Sequence, residues 1–137
     1  MLERENPQRT RRHEYRYLFT AKHHGGDKNA AQWLSELSPN DEFAVFEGAD
    51  EMDLSDEAGN LFGALSDGQE SLRFLGTLQE QIAKFPCAPQ GSPWHGYPVW
   101  PLTDEKYRPS RQVFDKMVER GMITQTMRRR LMKGDHV

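Results

Sequence analysis

PWHGYPVW, residues 93–100, sets two tryptophans, a tyrosine and a histidine beside two prolines, and its reading decides the fold. Five of the chain's eight prolines fall between Pro86 and Pro101. Proline lacks a backbone N–H and fixes φ, so this stretch excludes regular helix and disfavours a central strand. The residue before a proline is pushed toward extended geometry too, which holds Ser92, Tyr97 and Trp100 in β or polyproline II conformation. Residues 86–108 therefore read as a stiff, extended belt between two helical parts. Three uses of the belt stay open. It packs across the core with its rings buried; it forms an exposed loop, since Trp and Tyr are common interface anchors; or it divides, with Trp94 and Trp100 buried and His95 and Tyr97 lining a cleft.

C-terminal to the belt, residues 109–134 read as a helical hairpin. Ser110 caps a first helix with Val113, Phe114, Met117 and Val118 inward, Gly121 closes it in the left-handed conformation, and Thr124 caps a second helix that runs through Lys133 to Gly134. Arg128, Arg129 and Arg130 on that helix are the candidate nucleic-acid contacts, as in a helix-turn-helix. Lys116 and Arg120 stand where that motif wants apolar side chains, so a plain αα-hairpin is the better fit. The run Gly121-Met122-Ile123-Thr124 before a helix is similar to short C-terminal hairpins of many bacterial proteins, a likeness that implies no function.

N-terminal to the belt, the segment 13–21 carries Tyr15, Tyr17 and Phe19 at period two and predicts a strand with one buried face. Asp27 is expected to cap a helix burying Ala30, Trp33, Leu34 and Leu37, which Ser38-Pro39-Asn40 ends. Glu42–Glu47, with its continuous apolar run, predicts a second strand buried on both faces. Ser55 is expected to cap a short helix using Ala58, Leu61, Phe62 and Leu65. Asp67 and Glu70 have capping-box spacing ahead of a helical stripe of Leu72, Leu75, Leu78, Ile82 and Phe85. Residues 1–12 read as a mobile basic arm. The fold class expected from these elements is α+β, in one domain over residues 1–137, with a short N-terminal sheet, several helices, the aromatic belt and the C-terminal hairpin.

The formal charge of −3 averages opposites. Residues 1–28 carry seven Lys/Arg against four Asp/Glu, residues 29–83 one against twelve, and residues 84–137 ten against five. Segregation of this kind steers charged partners, although solvated helix faces produce it as well. Cys87 is the single cysteine and offers no disulfide or zinc pair, in keeping with a reducing compartment. The charged N-terminus has no apolar run behind it and no stretch approaches the roughly 18 apolar residues of a span, so a cytoplasmic, non-membrane protein is expected.

Motifs for nucleophilic catalysis and nucleotide binding (GxSxG, a Walker loop, GxGxxG) are missing, and His23, His24 and His95 complete no metal-ligand spacing. No cofactor, no metal and no catalytic residue is assigned from the sequence. The leading expectation is a non-enzymatic protein-binding or regulatory protein of antitoxin, immunity or adaptor type. Its partner surface would comprise His95 and Tyr97 with the acidic Asp50, Glu51 and Asp53. Two alternatives accompany it: a nucleic-acid binder using the basic ends, and a small nuclease- or transferase-like enzyme with His95 and Tyr97 in a cleft that Arg108 and His24 would complete.

Overall fold

The computed structural model describes residues 3–137. It is a mixed α+β protein with two small antiparallel sheets and three α-helices. The C-terminal hairpin stands where its caps predict it. Ser110 accepts from the Val113 N–H at the start of a helix over Arg111–Glu119, and Thr124 accepts from the Met127 N–H at the start of another over Gln125–Met132. Gly121 and Gly134 follow these helices at φ +77° and +89°, the left-handed closure that glycine adopts without strain.

Strand β2, Arg16–Phe19, confirms the period-two pattern: Tyr17 and Phe19 are buried and Arg16 and Leu18 are only partly covered. The preceding segment departs from the mobile arm the sequence suggests, although residues 1 and 2 lie outside the described range. Arg4–Arg9 forms strand β1, antiparallel to β2, with Arg16 donating to Glu5 at 2.8 Å. Unpaired edge groups on β2 supply what the arm's own composition does not. The belt docks on the other edge of β2, where Leu18 N–H donates to the Trp94 carbonyl and Trp94 N–H to that of Arg16.

Four elements differ from expectation, each for a definable reason. The segment from Asp27 to Leu37 forms turns instead of a helix: Asp27 accepts from the Asn29 N–H, the Gln32 amide ties the carbonyls of Lys22, Asp27 and Ala30, and the Leu34 N–H goes to Leu75. Ser38-Pro39 starts a helix where it was expected to end one. Helix α1 spans Pro39–Glu51, with Ser38 accepting from the Asp41 N–H, proline in the first turn, and Asp41 and Glu42 beside the positive end of the helix dipole. The predicted strand 42–47 is thus helical, and Phe43, Val45, Phe46 and Ala49 are its buried side. The predicted helix after Ser55 is a turn held by Asp56, which accepts from the N–H groups of Ala58 and Asn60, and it leads into strand β3, Leu61–Gly63. The predicted helix after Asp67 is a looped chain ending in strand β4, Ile82–Phe85. Glu70 and Gln79 sit at positive φ there, and the Leu75 N–H bonds Glu80, so no helical ladder forms. Leu72, Leu75, Ile82 and Phe85 are buried as the stripe predicts, but Leu78 is 66% exposed.

The belt contributes strand β5, Tyr97–Trp100, and the sheet order is β3–β4–β5. Pro98 is tolerated because β5 is an edge strand. The sheet is covered on both faces. Leu61, Ala83 and Phe85 join α1 and β2 in one apolar cluster, while Phe62, Ile82, Val99 and Trp100 join the hairpin in a second. Gly63 lets α1 approach, since a Cβ there would stand 2.5 Å from the Val45 carbonyl oxygen. The tryptophans of the opening stretch serve one cluster each, Trp94 the first and Trp100 the second, with Trp100 Nε1 donating to the Leu131 carbonyl at 2.6 Å. No helix among the described residues is long and apolar enough to cross a membrane.

Candidate binding cleft

The alternation of the belt places its polar residues on one wall of a cleft of about 900 Å³. Trp94 points into the core, and His95 and Tyr97 are half-buried on the cleft side. Between them Gly96 presents its carbonyl to the indole of Trp33 at 2.9 Å, and any side chain at position 96 would run into the Phe85 ring. The rest of its lining comes from Thr20, from Lys22 and His23 of the tight turn Ala21–His23 that follows β2, from the turns Asp27 to Gln32, from Thr77, Leu78 and Glu80, and from Leu102 and Tyr107.

His23 and His24 diverge at this turn. The His23 ring stacks on Tyr97 with centroids 4.8 Å apart and planes 22° apart, and its Nδ1 lies 2.8 Å from the Ala31 carbonyl. A carbonyl only accepts, so Nδ1 carries the proton and Nε2 keeps its lone pair when the ring is neutral. Burial lowers the His23 pKa, and the charges of Lys22, His95 and His24 lower it further against the opposing Ala31 bond. Burial, then Lys22, lowers that of His95. Both imidazoles are therefore neutral at neutral pH. Glu80 is wholly buried, accepts from the Leu78 N–H through Oε1 at 2.9 Å, and has its pKa raised by that burial. Burial and the adjacent Tyr107 raise that of Tyr97.

Four buried side-chain polar atoms among the described residues have no hydrogen-bond partner, and three of them, Thr20 Oγ1, Glu80 Oε2 and His95 Nδ1, belong to residues lining this cleft. Such an atom costs roughly 1–3 kcal/mol. Natural interiors keep few of them, and three of the four here belong to residues lining one concavity.

Of the residues singled out from the sequence, His95 and Tyr97 are brought together here. The others are not. Asp50 is 1% exposed and faces inward, where its carboxylate takes the His13 ring at 2.5 Å and the His13 N–H at 3.2 Å. It presents no surface charge, which leaves Glu51 exposed and Asp53 within 3.8 Å of the Lys116 ammonium. Arg128 is bound to Asp115 at 2.8 Å, while Arg129 and Arg130 are exposed. Arg108 donates to the Met132 carbonyl outside the cleft. His24 faces the other way, its Nε2 2.6 Å from buried Glu42. Sequence reasoning missed Lys22, Thr20 and Glu80 and gave His24 the place that His23 holds. Nothing in a linear pattern marks Glu80, which lies on the outer side of a helix that does not form. Among the described residues no three His, Cys, Asp or Glu side chains are grouped to hold a metal ion. Comparison with protein-family models, curated proteins and solved structures yields no match for this chain.

Proposed function

We propose that this protein binds a small polar molecule in the cleft and that His23 and His95 form an acid–base pair acting on it. The observation that carries this reading is that three buried, unpartnered polar atoms, Thr20 Oγ1, Glu80 Oε2 and His95 Nδ1, belong to residues lining one cleft. Neutral imidazoles suit the role: burial lowers both pKa values, and His23 Nε2 has a free lone pair to take a proton. Of the three functions suggested by the sequence, the cleft with His95 and Tyr97 is the one whose side chains converge. The partner-protein reading loses Asp50 as a surface anchor, and the nucleic-acid reading retains two exposed arginines on the last helix, Arg129 and Arg130.

The test is a fragment screen against ¹⁵N-labelled protein. Fragments that bind should shift amide resonances of Lys22, His23, His95 and Tyr97 together, and binding should weaken in Thr20→Val. Binding confined to another surface, or no fragment in the cleft, would remove the proposal.

A further inference from the structure

The cleft is lined by charged, imidazole and aromatic groups together, and resting on the reading above, we infer that its ligand is an aromatic phosphate of the nucleoside monophosphate class. The phosphate would lie against Lys22, His23 and His95, and the ring against Tyr107 and Leu78. Four observations support this orientation. Lys22 makes no ion pair among the described residues and lines the cleft together with His23 and His95, so a cation and two imidazoles share one cavity. Phosphate oxygens accept from the Lys22 ammonium, and from His23 Nε2 once binding protonates that ring. His23 stacks on Tyr97, which lines the cleft as well. Two of the three large apolar side chains exposed among the described residues, Leu78 at 66% and Tyr107 at 45%, also line this cleft. An exposed tyrosine ring is a surface of the kind that takes a purine or pyrimidine face, and a leucine in the same cleft adds apolar area. Glu80 Oε2, of another lining residue, has no hydrogen-bond partner among the described residues, and a sugar hydroxyl would supply one. Asp27 on the rim does not compete for the cation, since it makes no ion pair with Lys22 or Lys28 and its Oδ1 holds the Asn29 N–H.

Isothermal titration of the full chain with AMP, adenosine and inorganic phosphate tests the assignment. AMP should bind at least about tenfold tighter than adenosine or phosphate, because both the charged and the aromatic lining contribute. Lys22→Ala should erase the advantage of AMP over adenosine while adenosine binding persists. Tyr107→Ala should weaken AMP and adenosine and leave phosphate unchanged, with Tyr107→Phe restoring both. Both positions are exposed, so the variants should fold. An unchanged AMP-to-adenosine ratio in Lys22→Ala overturns the placement of the phosphate, and AMP binding no tighter than phosphate overturns the ring site. If fragments occupy the cleft but AMP does not bind, the ligand class is wrong and the cleft reading survives; if no fragment occupies it, both fall.

Discussion

Replacing His24 by alanine should destabilise the protein far more than its place in a surface turn suggests. Its ring joins two acceptors: Nδ1 lies 2.6 Å from the Thr20 carbonyl and Nε2 lies 2.6 Å from Glu42 Oε1. Both nitrogens must donate, so the ring is an imidazolium. Glu42 is 3% exposed and takes the Tyr17 hydroxyl on its other oxygen at 2.6 Å, and Tyr17 is fully buried. Burial alone lowers the His24 pKa, but the bonds to Glu42 and Thr20 outweigh it and leave the value raised above 6.5. Without His24 the Glu42 carboxylate stays buried with one hydrogen bond, a defect that costs about 3–5 kcal/mol when one member of a buried pair is removed. That is a large share of the 5–15 kcal/mol typical of a folded domain.

The pH dependence has a definite sign. The unfolded chain releases the imidazole proton near 6.5 and the folded chain holds it to higher pH, so His24's contribution is complete below 6.5 and fades as pH rises through the raised folded value. The groups around the ring are Glu42, the Thr20 carbonyl, Phe19 in edge contact at 6.2 Å, and the neighbouring His23. Urea unfolding of wild type and His24→Ala at pH 6 and pH 9 cancels the other titrations, which both proteins share. The stability gap should be wide at pH 6 and narrower at pH 9. A gap below about 1 kcal/mol at pH 6, or one that widens with pH, refutes the imidazolium reasoning.

Trp100→Ala should cost roughly 3–5 kcal/mol, because the ring is fully buried against the hairpin and its N–H is bonded to Leu131; calorimetry of the variant reads this directly. Gly96→Ala should fail to fold or lose several degrees in Tm, since its Cβ runs into Phe85 and the Lys84 carbonyl; a wild-type melting curve would contradict the packing of β5. Thr124→Ala removes the cap of the last helix and should cost about 1 kcal/mol by denaturant unfolding, with the rest of the fold unaffected.

The hairpin was legible because its signals are local: Ser110, Gly121, Thr124 and Gly134 act within a few residues of themselves. The tryptophans were legible for the same reason, since proline geometry constrains the belt wherever it lies. Glu42–Glu47 was not, because a short apolar run has no period that separates a buried strand from a buried helix face. The deciding residues were the flanking Ser38 and Pro39, which close and open helices with equal ease in a linear reading. The stripe from Leu72 to Phe85 gave four buried residues but neither their conformation nor the exposure of Leu78: turns and a strand bury Leu72, Leu75, Ile82 and Phe85 as readily as a helix does. For the cleft, His95 and Tyr97 stood out by composition. Lys22, Thr20 and Glu80 did not, because only the pairing of β2 with the belt and the turn before β4 bring them to the same cleft.

Unfolding and binding measured together on Thr20→Val test the cleft most directly. Valine matches the shape of threonine and removes only the buried Oγ1, which has no partner in the protein. If that hydroxyl is held for a ligand, its loss should leave the unfolding midpoint of the ligand-free protein unchanged or higher, while binding of cleft fragments weakens. An unfolding free energy lowered by about 1 kcal/mol or more, as expected for a structural hydrogen bond, with fragment binding intact, would contradict the account.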